Sequence, residues 1–281
     1  MNEKIGETEY PKFSVLMSLY IKEKAEYFDD CMQSMMWQTV RPNEIVIVFD
    51  GPITDELKII VEKYKQNYPA LIKTVENDVN KGLGLALAEG IPQCKYELIA
   101  RMDTDDISRK DRFERQLKEF IKDPSLDICG SHILEFEDDI ETIVARRKVP
   151  LAHDDIKKYQ KRRDGFNHMT VMFKKSSVLA AGNYQSCLLM EDTLLWANMF
   201  NNGAKSRNID DYLVYVRIGK NMYERRGGVS YFKKYREGRR KVYKTGFISW
   251  YDYSLTVLIQ FCVAIVPNRM RGFIFKKMLH R

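Results

Sequence analysis

This sequence predicts an α/β fold built on a mainly parallel sheet, and three observations lead there. Short apolar runs rich in β-branched residues recur through the first hundred positions, separated by amphipathic helical patterns. That alternation, with short connections, builds right-handed βαβ units. Polar residues of chemical interest follow directly on three of the runs, where open parallel sheets bind ligands. A chain of 281 residues with 44% hydrophobic content can form one large α/β domain, or a domain with an appendage, and is not wholly disordered.

The elements follow in order. FSVLMSL (13–19) reads as a buried strand. Residues 25–38 read as a helix, with Tyr27, Cys31, Met35 and Met36 near helical spacing. EIVIVF (44–49) is a second strand, a helix covers roughly 54–67, and LIKTV (71–75) is a third strand. GLALAEGI belongs to a third helix and ELIARM (97–102) to a fourth strand. Ser108, with Asp111 three residues on, is expected to cap a helix whose apolar stripe is Phe113, Leu117, Phe120 and Ile121. ICGSHILEF and ETIVARRKV are expected to pair antiparallel around the acidic turn EDDIE. HMTVMF (168–173) and YLVYVRI (212–218) read as strands, and a helix starts near Glu191.

Five scattered cysteines without Cys-x-x-Cys spacing predict reduced thiols and a cytosolic setting. Four histidines without ligand spacing argue against zinc, and the polar start MNEKIGETEYPK is no signal sequence. The net charge of +7 is unevenly placed: from Lys220 onward 15 Lys or Arg face 3 acids, so the tail carries +12 and the body −5. Such asymmetry predicts a basic appendage facing something anionic, a lipid surface or a nucleic acid.

Asp50-Gly51 follows the second strand, Asn80-Lys81-Gly82 the third, and Asp103-Thr104-Asp105-Asp106 the fourth. Taken singly, Asp-Gly is a turn, Asn-Lys-Gly a loop and DTDD a solvated acidic loop. GLG is not a GxGxxG fingerprint, since Leu87 stands at the third glycine position. DTDD is not an EF-hand loop, since Ser108 stands where glycine is needed. Three carboxylates in four positions repel unless a cation offsets them, and Mg²⁺ or Mn²⁺ sites commonly combine one or two carboxylates with substrate phosphates.

As a series, SVLMSLY, Gln38-Thr39, EIVIVFDG, NKGLGLALAEGI, IARMDTDD and MED resemble a family 2 glycosyltransferase of the GT-A (Rossmann-like) fold over roughly residues 12–220. Within that family the likeness is to bacterial exopolysaccharide galactosyl- and glucosyltransferases of the amylovoran type. The resemblance implies an inverting enzyme that moves a hexose or N-acetylhexosamine from a UDP-sugar to a hydroxyl of a glycan acceptor, carried on a polyprenyl diphosphate, in surface polysaccharide synthesis. It implies donor contacts at Ser18, Leu19 and Tyr20, at Asp50, at Lys81, and at Asp103 and Asp105. Phe49 stands where many members carry a further aspartate before Asp50. It implies Mn²⁺ or Mg²⁺ on Asp105 and Asp106, and Asp192 as general base. Glu191, His168, Arg225 and Arg226 are further candidates for acceptor or diphosphate contacts.

The catalytic domain is therefore expected over 1–220, and a basic helical region over 221–281. Its apolar stretch YSLTVLIQFCVAIV (253–266) falls short of the roughly 20 residues that span a bilayer. Basic flanks at 233–244 and 269–281, with Trp250, Tyr251, Phe273 and Phe275, suit a helix lying on the inner face of the cell membrane. The alternative is a helix packed on the domain. Two other functions compete with this one. A sugar-phosphate nucleotidyltransferase would carry a glycine-rich loop after the first strand, where this chain has LYIKEKAEY. A nucleic-acid-binding module fits the tail but not the acidic body, so nucleic acid is not an expected partner.

Overall fold

The computed structural model describes residues 9–219 and 228–266. The first half runs β1 (Phe13–Leu19), α1 (Ala25–Met36), β2 (Glu44–Phe49), α2 (Asp55–Asn67), β3 (Ile72–Glu76), α3 (Leu83–Gln93) and β4 (Leu98–Arg101). The four strands pair in parallel in the order β3-β2-β1-β4. The second half adds β5 (Ile107–Ser108), α4 (Arg112–Lys122), β6 (Ile128–Phe136), β7 (Ile143–Arg147), α5 (His153–Gln160), β8 (Met172–Lys174), α6 (Lys175–Ala180), α7 (Glu191–Asn201) and β9 (Ser206–Arg217). β8 lies antiparallel to both β4 and β6, β9 runs parallel to β6, and β7 pairs antiparallel with β6 across the acidic turn as expected.

Alternation along the strands divides the core in two. Phe13, Val15, Met17 and Leu19 of β1 face one side with Ile45 and Ile47 of β2, against α1, α2 and α4. Leu16, Val46 and Val48 face the other, against α3 and α7. Successive strand side chains point to opposite faces, so a strand covered on both faces reads as a continuous apolar run.

Three local expectations are corrected. Ser108 does not cap a helix: it lies in β5, its N–H donates to Ser34 Oγ at 3.1 Å, and α4 starts at Arg112. Residues 168–173 are not one strand. His168–Thr170 form a 3-10 turn closed by the Thr170 hydroxyl donating to the Asn167 carbonyl, and only Met172–Lys174 pair. The strand read at 212–218 begins earlier, at Ser206, because β6 supplies partners for the polar stretch Ser206–Asn208.

The last described elements are α8 (Gly228–Lys244) and α9 (Trp250–Ile265), packed on one another. Val242, Phe247 and Ile248 join the core on the α7 side. The polarity of α9 is inverted. Its buried residues are Asp252, which pairs with Arg162 at 2.6 Å, and Thr256, which accepts from Arg239 Nε at 3.0 Å. Trp250, Leu258, Phe261 and Ile265 are exposed. Among the described residues no helix is long and apolar enough to cross a membrane.

Candidate active site

The carboxyl ends of β1, β2 and β4 bring the sequence candidates together. Asp50 is buried just past β2, and its two oxygens accept from the Lys81 and Gly82 backbone N–H groups at 2.6 and 3.0 Å. It therefore holds the loop that starts α3. Gly51 allows the approach: its φ is +83°, and a Cβ there would stand 2.7 Å from the Asn80 nitrogen. The Lys81 ammonium is paired with Glu89 at 2.6 Å. Leu19 sends its side chain into the core and its carbonyl to the Asp50 N–H at 2.8 Å. Ser18 is half-buried and Tyr20 exposed at the same strand end.

Beyond β4, one carboxylate oxygen from each of Asp103, Asp105 and Asp106 lies within 4.8 Å of the others. Burial and the neighbouring carboxylates push Asp105 and Asp106 well above the usual carboxylate range. Two arginines partly offset the repulsion. Arg101, fully buried at the end of β4, pairs with Asp103. Arg217, at the end of β9, donates its N–H to Asp106 Oδ1 at 3.0 Å and its Nε to the Asp105 carbonyl at 3.3 Å. Its guanidinium is sandwiched by Tyr27 and Phe136, 3.9 and 4.7 Å from their ring centres. Asp106 Oδ2 is buried without a hydrogen-bond partner among the described residues. A buried carboxylate oxygen left unsatisfied beside two further carboxylates fits a divalent cation.

The second half of the site is the start of α7. Asp192 accepts from the Thr193 N–H at 2.7 Å. Enclosure, then Asp164 and Glu191, push its carboxyl up to about 8. Thr193 Oγ1 donates to Asp164 Oδ1 at 2.5 Å and so holds the second carboxylate near the first. Glu191 is raised by burial and lowered by Arg101. His168 is kept neutral by burial, its Nε2 lies 2.8 Å from the Tyr184 hydroxyl, and its ring packs edge-on to Trp196. That environment orients the ring and does not favour a proton on it. Asp192 and His168 face a cavity of about 710 Å³ bounded also by α8. Arg225 and Arg226 lie outside the described residues.

Asp192 can accept a proton at the edge of an open cavity, and the aspartate cluster can hold a cation against an anionic leaving group. Arg101, whose charge is felt by Asp103, Glu191 and Asp192, stands between the two halves. Sequence reasoning passed over Arg101, Arg217 and Asp164. An arginine inside the apolar strand LIAR was a signal for the first; the other two carry none.

The glycosyl transferase family 2 model matches residues 14–178. Over 271 residues the chain is 36% identical to the UDP-Gal:alpha-D-GlcNAc-diphosphoundecaprenol beta-1,3-galactosyltransferase of Escherichia coli, covering 96% of this chain and 98% of that one. It is 36% identical over 268 residues to the amylovoran biosynthesis glycosyltransferase AmsE of Erwinia amylovora, covering 94% and 98%. Among solved structures, a mannosyltransferase of Pyrobaculum calidifontis in complex with GDP-Man and Mn²⁺ superposes with a TM-score of 0.63 at 14% identity, covering 94% of this chain and 72% of that one. Fold and matches define a glycosyltransferase of the GT-A class. The chain belongs to glycosyl transferase family 2.

Proposed function

We propose that this enzyme transfers a hexose or N-acetylhexosamine, with inversion, from a UDP-sugar to a hydroxyl of a sugar carried on a polyprenyl diphosphate, in bacterial surface polysaccharide synthesis. The observation that carries the reading is the aspartate cluster at the end of β4, with Asp106 Oδ2 buried and unpartnered among the described residues. Asp105 and Asp106 are the candidate ligands of Mn²⁺ or Mg²⁺, which when bound neutralises charge on the donor diphosphate. Asp103, the Ser18–Tyr20 strand end and the Asp50–Lys81 loop line the donor side. Asp192 takes the proton from the acceptor hydroxyl. The acceptor oxygen then forms a bond to the anomeric carbon as the bond to the diphosphate oxygen breaks on the opposite face. Of the two relatives described above, one is named for amylovoran biosynthesis and the other for galactosyl transfer from UDP-Gal to a GlcNAc-diphosphoundecaprenol. The outward apolar face of α9 supports contact with the membrane that holds such an acceptor.

Calorimetric titration of UDP, with and without Mn²⁺, on the wild type and on Asp106→Ala tests the donor half. Metal-dependent binding that vanishes in the variant is the expected result. A wild type that binds no UDP with any divalent metal overturns the donor assignment.

A further inference from the structure

We infer that the cavity beside Asp192 contains an anion subsite, formed by Arg147, Arg163 and Lys234, that holds the diphosphate of the acceptor. The inference rests on the lipid-diphosphate acceptor proposed above and adds the residues that recognise it. Five cationic side chains line this cavity against two carboxylates, Asp164 and Asp192. Two of the five have other work. Arg162 is paired with Asp252 at 2.6 Å. Arg239 is buried and donates to Thr256 and to the Lys161 carbonyl. Those bonds fasten α8 and α9 to the chain after α5.

Arg147, Arg163 and Lys234 differ. None has a carboxylate partner among the described residues; Arg163 makes only a long 3.4 Å contact to the Tyr159 hydroxyl. They come from the end of β7, the turn after α5, and α8, three separate elements that line one cavity. Three cations on one cavity wall, none paired with a carboxylate among the described residues, suit a ligand carrying two or three negative charges. Arginine forks add bidentate contacts to phosphate oxygens. The donor diphosphate is accounted for by the aspartate cluster, so the cavity on the Asp192 side is left for the acceptor.

The position also suits a lipid carrier. Arg162, at the cavity edge, lies over the Tyr251 ring at 5.3 Å, and Tyr251 is exposed on α9. Arg162 thus links the cavity wall to the helix whose apolar residues face outward, although that helix does not itself line the cavity. A diphosphate entering there would sit at head-group depth while its lipid remained in the bilayer.

The test compares three acceptors bearing the same N-acetylglucosamine: on an alkyl diphosphate, on an alkyl monophosphate, and as a neutral alkyl glycoside. Transfer from UDP-hexoses is measured for the wild type and for Arg163→Ala/Lys234→Ala. Both residues are exposed, so the variant is expected to fold. Loss of two charge-assisted contacts is expected to raise KM for the diphosphate acceptor at least about tenfold. The monophosphate should be affected less, the neutral glycoside by under about twofold, and the KM for donor should not change. An equal loss on all three acceptors, or a raised donor KM, overturns the subsite. An unchanged KM for the diphosphate acceptor overturns it too, while leaving the transferase reading intact. A wild type that binds UDP with metal yet glycosylates none of the three overturns the acceptor reading itself, and the subsite with it.

Discussion

Replacing Asp164 by Asn should move the pH dependence of transfer toward acid. Thr193 Oγ1 lies 2.5 Å from Asp164 Oδ1 and 3.5 Å from Asp192 Oδ1. Those two carboxylate oxygens are therefore at most about 6 Å apart, where two unit charges repel by about 2.8 kcal/mol at an effective dielectric of 20 and about 0.7 kcal/mol in bulk water. At about 1.36 kcal/mol per unit, this spans about 0.5 to 2 pKa units. Asp192 is half-buried and lies between the two limits, so about one unit is expected. The sign follows from the role. A base must be ionised, and Asp164 disfavours the ionised form of Asp192. Without that charge the carboxyl titrates lower, and the acid limb of kcat/KM for acceptor moves to lower pH. Asn keeps an oxygen that can accept from the Thr193 hydroxyl, so the packing is preserved. The assay is initial transfer rates between about pH 5 and 9 with saturating donor and Mn²⁺, on variants matched by thermal melting. An acid limb that stays in place, or moves up, in a normally folded Asp164→Asn protein refutes the electrostatic account of Asp192.

Three further outcomes follow from the geometry. Asp192→Asn should lower kcat by about 10²-fold or more while calorimetric UDP affinity stays near wild type; near-normal turnover would remove Asp192 from the mechanism. Gly84→Ala should cost about 1–3 kcal/mol in urea unfolding and lower kcat, because a Cβ there would stand 2.8 Å from Glu191 Cβ and push α3 against the start of α7; full activity would show that this contact does not position Asp192. Leu258→Asp with Ile265→Asp should leave the melting temperature within a few degrees, both side chains being exposed, yet cut co-sedimentation with anionic vesicles at least about tenfold; unchanged retention would rule out the α9 face as the bilayer contact.

Much of the parallel half-sheet was legible in the sequence because its strands are covered on both faces. FSVLMSL and EIVIVF are nearly continuous apolar runs, and the ends of the second and fourth strands were marked by Asp50 and by the DTDD run. The second half read less clearly. Ser108 carried a capping residue's identity, but its N–H and hydroxyl are used by Ser34 and Gln38, partners some 70 residues away in the chain. β9 opens with polar residues whose strand geometry comes from pairing with β6. Local pattern is silent on such partners.

The sequence by itself determined the fold class, the family resemblance and the chemical inventory: three clustered aspartates, the Glu191-Asp192 pair, and a basic, apolar tail. Only the tertiary structure decided what those groups face. It closed the aspartates to within 4.8 Å and left Asp106 Oδ2 without a partner among the described residues. It set the buried Arg101 between the two carboxylate groups and Asp164 beside Asp192. It turned the polar residues of α9 inward and its apolar residues outward. The reason is physical. A strand's burial is written in its own periodicity, whereas the charge, burial and free lone pairs of a site depend on contacts between residues far apart in the chain.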